Sequence, residues 1–139
     1  MKYLLDTCVI SELVAKQSNP DVVAWVDNLD PDSVYLSVIT IGEIRKGIEK
    51  LPDSKRKASL ESWLRDELLV RFSGRIVSID TDVMLTWGKT VGALELNGKK
   101  MSAIDSLITA IALHGNFCVA TRNENDFQHA GVTIINPWK

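Results

Sequence analysis

Short, uniformly apolar runs alternate along the chain with longer stretches in which apolar residues recur every three or four positions. The short runs predict strands at residues 2–5, Val34–Val38, Arg75–Ile79, Phe117–Ala120 and Val132–Ile135. The intervening stretches predict helices over Val9–Val14, from Asn19-Pro20, from Thr40 to about Lys50, from after Leu51-Pro52-Asp53-Ser54 to about Arg71, from Thr81-Asp82, and from Ser102 to His114. Asp30-Pro31-Asp32-Ser33, Ser73-Gly74 and Gly115-Asn116 supply the turn and stop signals between them.

Strands that are apolar throughout and alternate with helices predict a parallel sheet covered on both faces. The expected fold is therefore α/β, a three-layer α/β/α sandwich with four to five central strands, in one domain spanning residues 1–139. Right-handed crossovers bring all strand C-termini to one edge, where ligands of open α/β sheets bind.

Composition narrows the choice. With 45% hydrophobic and 24% charged residues, the chain is an ordinary globular one. The formal charge of −2 gives no overall cationic field, so a nucleic-acid ligand needs a local basic patch. Cys8 and Cys118 sit in apolar company and read as reduced, buried, small hydrophobes. They form no zinc spacing with the two histidines. No apolar run approaches the roughly 20 residues of a membrane span, and the start of the chain lacks a signal-peptide layout, so the expected compartment is the cytoplasm.

The chemistry lies in three acids, Asp6, Glu43 and Asp105, each following an apolar run and opening a helical pattern. Singly, each also fits a helix cap. Thr40-Ile41-Gly42-Glu43 and Ser102-Ala103-Ile104-Asp105 have capping-box spacing, and Asp is a favoured cap residue at position 6. Their recurrence at the same place in successive strand–helix units points instead to one shared edge, where gathered carboxylates repel unless a divalent cation lies between them. A fourth element, Thr121 to Phe127, follows the strand ending at Ala120 and brings the oxygen ligands Asn123 and Asp126. Thr7 and Thr121 can steady a ligand, a water or a carboxylate. An oxygen-only site suits Mg²⁺ or Mn²⁺, and the chemistry that follows is phosphodiester hydrolysis by an activated water. No Gly-x-x-x-x-Gly-Lys-Ser/Thr loop is present, and Asp6-Thr7-Cys8 lacks the second acid of aspartyl-phosphate enzymes. Lys99, Lys100 and Arg122 flank the acidic edge and are candidates for holding backbone phosphates. The few aromatics read as core, which gives no basis for base stacking.

Four motifs in order resemble those of PIN-domain ribonucleases, specifically VapC-type toxins of toxin–antitoxin pairs. They are Leu4-Leu5-Asp6-Thr7-Cys8-Val9-Ile10-Ser11-Glu12, Ser37 through Ile44, Ala103 through Ala110, and Val119 through Phe127, with Ile135-Asn136-Pro137-Trp138 typical of one branch. The resemblance implies that Asp6, Glu43 and Asp105 carry the metal and that Asn123 takes the fourth position. It departs at Cys8, where the family usually has Asn, and at Asn123, where many members have Asp; Asp126 could supply that charge. The resemblance further implies cutting of single-stranded RNA, arrest of translation, a homodimer, and a small antitoxin whose segment, often with an inserted Arg, blocks the groove. Larger antitoxin-bound complexes on DNA would fit the same pattern. Trp25 and Trp63 fit either such surfaces or the core. The competing readings are a non-catalytic PIN-like partner-binding module and a DNA-directed nuclease of related fold.

Overall fold

The computed structural model describes residues 1–139. Five parallel strands form the sheet in the order β3-β2-β1-β4-β5. They are β1 (Lys2–Leu5), β2 (Val34–Ser37), β3 (Ile76–Val77), β4 (Phe117–Ala120) and β5 (Ile134–Ile135). The helices are α1 (Thr7–Leu13), α2 (Pro20–Asp27), α3 (Val38–Glu49), α4 (Lys55–Trp63), α5 (Leu69–Arg71), α6 (Thr81–Leu96) and α7 (Ala103–Gly115). No helix is long and apolar enough to cross a membrane.

β1 lies at the centre. It pairs with β2 through Tyr3↔Val34 and Leu4↔Tyr35, and with β4 through Lys2↔Phe117 to Leu5↔Ala120. Successive strand residues face opposite sides of a sheet. Accordingly Leu5 enters one core cluster with Val9, Ile10, Val22, Ile44, Leu64 and Phe72, and Leu4 enters the other with Val83, Ile108, Ile111 and Phe127. The first layer is built mainly by α1 to α5, the second by α6 and α7. Trp25 and Trp63 are partly buried against the first cluster, and the Tyr3 and Trp25 rings meet edge to face at 5.4 Å.

Several boundaries move from their predicted places. The third helix begins at Val38, not Thr40, because Ser37 caps it by accepting from the Thr40 N–H at 3.1 Å. β3 and β5 shrink to two residues each, as edge strands with one hydrogen-bonding neighbour. The long amphipathic helix is interrupted by a π-helical turn, Leu64–Leu68, which keeps both leucines buried. At the far end of α7, Asn116 takes the left-handed conformation (φ 57°) that stops the helix and lets β4 begin at once.

Candidate active site

Asp6 is the residue after β1, and Thr121 is the residue after β4, so both stand at the C-terminal edge of two adjacent strands where strand order reverses. That is the crevice in which open α/β sheets bind ligands. Asp6 is buried, 6% exposed. Its Oδ1 accepts from the Thr7 N–H at 2.8 Å, the cap expected of Asp, while Oδ2 accepts from the Thr121 hydroxyl at 2.8 Å. The cap and the site are thus two faces of one carboxylate. A buried anion needs such donors, because leaving it unpaired costs several kcal/mol, on the order of the penalty for an uncompensated charge.

Glu43 reaches the site differently from the capping-box expectation. It lies one turn further into α3 than a box allows, since Ser37 holds the cap. Its Oε1 accepts instead from the Thr7 hydroxyl at 2.5 Å, and the same hydroxyl lies 3.1 Å from Thr40 Oγ1. Thr40 is fully buried. A chain of hydroxyls, Ser37, Thr40 and Thr7, therefore runs from β2 to the Glu43 carboxylate.

Asp105 enters from the first turn of α7, where Ser102 caps the helix by accepting from the Asp105 N–H at 3.1 Å. Half of the expected capping box is thereby formed. The Asp105 carboxyl is pushed above the usual carboxylate range, first by burial and further by the charges of Asp126, Asp6 and Glu43, against a hydrogen bond with Ser102 that lowers it. Four acids from four separate elements thus share one electrostatic neighbourhood. None of the four is in an ion pair. As they stand, no three His, Cys, Asp or Glu side chains are drawn together closely enough to hold one ion. The donor set is all oxygen and uncompensated by any cation, which fits a hard divalent ion. One helical turn beyond Asp105, the buried Thr109 hydroxyl makes no hydrogen bond.

The fourth element forms a tight polar turn. The Asn123 N–H donates to Thr121 Oγ1 at 3.0 Å, and the Asp126 N–H donates to the Asn123 carbonyl at 3.0 Å. Asn123 and Asp126 are exposed at the mouth. Arg122 is also exposed and makes no ion pair. Its guanidinium lies over the Trp138 ring, 5.5 Å from the centroid. Lys99 and Lys100 are exposed in the connection between α6 and α7, ahead of Asp105.

Three features escaped the sequence reading. Cys8 is half-buried within the site rather than a simple core residue: its sulfur lies 3.7 Å from Asp6 Oδ2 and 3.6 Å from Thr121 Oγ1, and accepts from the Arg122 N–H at 3.5 Å. Burial pushes its thiol up, and the charge of Asp6 adds to that. Cys118 is free and buried as expected. The hydroxyls of Ser37 and Thr40 gave no signal beyond turn chemistry. The Asn136–Lys139 segment packs onto the fourth element, with Asn136 Nδ2 donating to Glu124 Oε2 at 3.0 Å and Lys139 Nζ pairing with the same oxygen at 2.7 Å.

Comparison with known proteins agrees with this geometry. Residues 3–132 match the PIN domain family. The chain is 40% identical to toxin FitB of Neisseria gonorrhoeae over 97% of each chain. It is 38% identical to plasmid stability protein StbB of Pseudomonas syringae pv. tomato over 98% of each. It is 36% identical to VapC ribonuclease Y4jK of Sinorhizobium fredii over 98% of this chain and 97% of that one. The crystal structure of FitAcB from Neisseria gonorrhoeae superposes with a TM-score of 0.94 at 40% identity, over 98% of both chains. The chain belongs to the PIN domain family, and its full-length relatives carry toxin and ribonuclease names.

Proposed function

We propose that the chain is a divalent-metal-dependent endoribonuclease that hydrolyses single-stranded RNA, mRNA or tRNA, inhibits translation, and serves as the toxin of a toxin–antitoxin pair. The observation that carries the proposal is the strand-edge network in which Thr7 joins Asp6 to Glu43 and Thr121 holds Asp6, with the charges of Asp6, Glu43 and Asp126 acting on Asp105 and no cationic partner among them. Such an arrangement is costly unless a cation joins it.

Asp6, Glu43 and Asp105 would hold Mg²⁺ or Mn²⁺, with Asn123 and Asp126 at the mouth. The bound ion would supply charge neutralisation at the scissile phosphate and a water of lowered pKa. The residues of the chain do the rest. Thr121 and the Thr7 amide fix both oxygens of Asp6, the Thr7 hydroxyl fixes Glu43, and burial of Asp6 restricts competing water. No side chain need act as a covalent nucleophile. Arg122, Lys99 and Lys100 would bind the RNA backbone.

The partner of the proposed toxin is a small antitoxin. An apolar recess of about 240 Å³ runs from Thr7 and Glu43 past Ile44, Leu60 and Trp63, and suits an amphipathic segment laid beside the acids. An Arg on that segment would meet four carboxylates without a cation of their own. Related complexes, such as FitAB of the solved neighbour, are described bound to a DNA fragment. A homodimer bound through its antitoxin to DNA fits the same picture.

The test is cleavage of single-stranded RNA and single-stranded DNA, side by side, with Mg²⁺, Mn²⁺ or EDTA. Cleavage of RNA only with metal, abolished in folded Asp6→Ala and Asp105→Ala, is the expected result. Persistent cleavage in Asp105→Ala would identify a contaminating nuclease and leave the non-catalytic binding module, a reading that Asp6's capping role already serves. Equal cleavage of DNA would shift the substrate class.

A further inference from the structure

Beside the acids lies a second recess of about 530 Å³, whose walls include Arg122, Asn125, Asp126, Asn136, Trp138 and Lys139. It joins the loop after β4 to the segment after β5, and it shares Asp126 with the candidate active site. Its geometry is fixed from within. Glu124 accepts from Lys139 and Asn136 and is held below the usual carboxylate range, chiefly by the Lys139 bond and then by that of Asn136. Asn136 Oδ1 in turn accepts from the Trp138 N–H at 2.9 Å. This clamp sets the indole beside Arg122, whose guanidinium lies over the ring.

The charges decide what the recess suits. Arg122 and Lys139 face Glu124 and Asp126, so the recess is balanced overall and offers no broad polyanion track. Lys139 is already paired with Glu124, which leaves Arg122 as the one unpaired cation, stacked on an aromatic face. A guanidinium plane laid over an indole, with no carboxylate partner of its own, matches a planar base carrying one phosphate. Unstacked bases of single-stranded RNA are held in this way, on aromatic rings and on guanidinium planes. The Asn125 amide, exposed on the same wall, can bond a base edge. The volume falls within the range of small-ligand clefts, roughly 300 to 1,000 Å³.

We propose that this recess is a nucleotide subsite for an unpaired residue of the RNA flanking the scissile phosphate, its base on the Arg122–Trp138 pair and its phosphate on Arg122. The inference rests on the ribonuclease reading of the neighbouring acids. It assigns to Trp138 and Arg122 a positioning and specificity role, and to Glu124 and Asn136 the support of that role.

The test uses the full chain and a fluorescein-labelled, mixed-sequence single-stranded RNA 12-mer. Binding is followed by anisotropy in EDTA, and steady-state cleavage with Mn²⁺. Arg122→Gln and Trp138→Leu are expected to raise both Kd and KM about tenfold, with the loss falling on these rather than on kcat. Trp138→Phe should restore most of the affinity. Arg122→Gln should also flatten the dependence of log Kd on log salt by about 0.7, the single-strand value for one phosphate contact. A purely structural role for Trp138 would lower the melting temperature of Trp138→Leu and reduce kcat along with KM, whereas the subsite predicts a loss confined to Kd and KM. Should Trp138→Leu not fold, Arg122→Gln decides alone, because its side chain is exposed. Wild-type cleavage with unchanged Kd and salt slope in Arg122→Gln would overturn the subsite. Wild-type protein that neither binds nor cuts RNA would overturn the ribonuclease reading itself, and the subsite with it.

Discussion

The Thr7 hydroxyl lies 2.5 Å from Glu43 Oε1, joining the first residue of α1 to a carboxylate 36 positions later. Thr7→Val keeps the shape and removes the donor. Under the proposed function Glu43 would hold the metal, and loss of a hydrogen bond that supports a metal ligand typically reduces affinity or activity about 10- to 100-fold. The expected outcome is a fall of that size in Mn²⁺ affinity, measured by calorimetry, together with slower RNA cleavage. Unaltered metal affinity would remove Thr7 from the supporting role.

Asp105 gives a pH-dependent prediction. Its folded-state carboxyl is raised, by burial first and then by neighbouring acids. The folded state therefore binds this proton more tightly than the unfolded one, so the contribution to stability is present below the ordinary Asp range and lost as pH rises through the raised value. Asp105→Asn should melt at a higher temperature than the wild type at pH 7 in EDTA, and the gap should close as pH falls toward about 4. Mn²⁺ should raise the melting temperature of the wild type more than that of the variant. Parallel melting curves at every pH would refute the argument.

Thr121 is fully buried, and its hydroxyl donates to Asp6 Oδ2. Thr121→Val leaves a buried carboxylate short of one donor, at a cost of about 1 to 3 kcal/mol. Urea unfolding should show this loss with an unchanged m-value, and cleavage should weaken as Asp6 loses its orientation. A variant as stable as the parent would mean that water replaces the hydroxyl.

Gly115 closes α7 against the ring of Phe117, which an added Cβ would strike. Phe117 is buried, and its ring also packs edge to face on Tyr35. Gly115→Ala gains at most about 1 kcal/mol of helix propensity and meets an overpacking penalty of about 1 to 3 kcal/mol. Net destabilisation in urea is expected, with the hydrogen bonds of Asp6 and Glu43 at the opposite end of the sheet unaffected.

Much of this was readable in the chain because two signals coincided at each acid: an apolar strand ending and a helix beginning. Asp6 follows Leu5 directly, and Asp105 follows the Ser102 cap at the spacing a helix start requires. For Glu43 the sequence pattern points to a cap at Thr40, whereas the structure gives it the Thr7 hydroxyl as its partner. Val38 and Ile39 extend the apolar run of β2, so the pattern hides that the helix has already begun, and the cap passes from Thr40 to Ser37. The contribution of Cys8 depends on Thr121 and Arg122, more than 110 positions away, and no local pattern carries that information. The same holds for Trp138, whose composition-level reading as core misses that one part of it borders a polar recess. The edge strands β3 and β5 are only two residues long, which limits the unpaired backbone the sheet exposes.

The central place of β1 has a consequence for synthesis. The first strand made must wait for β4 before its second flank is covered, and Asp6 must wait for Thr121, 115 residues downstream. Such long-range closure comes late in folding. Under the proposed function, a copy that ends before Thr121 lacks the hydroxyl that orients Asp6, and so lacks an assembled cutting centre.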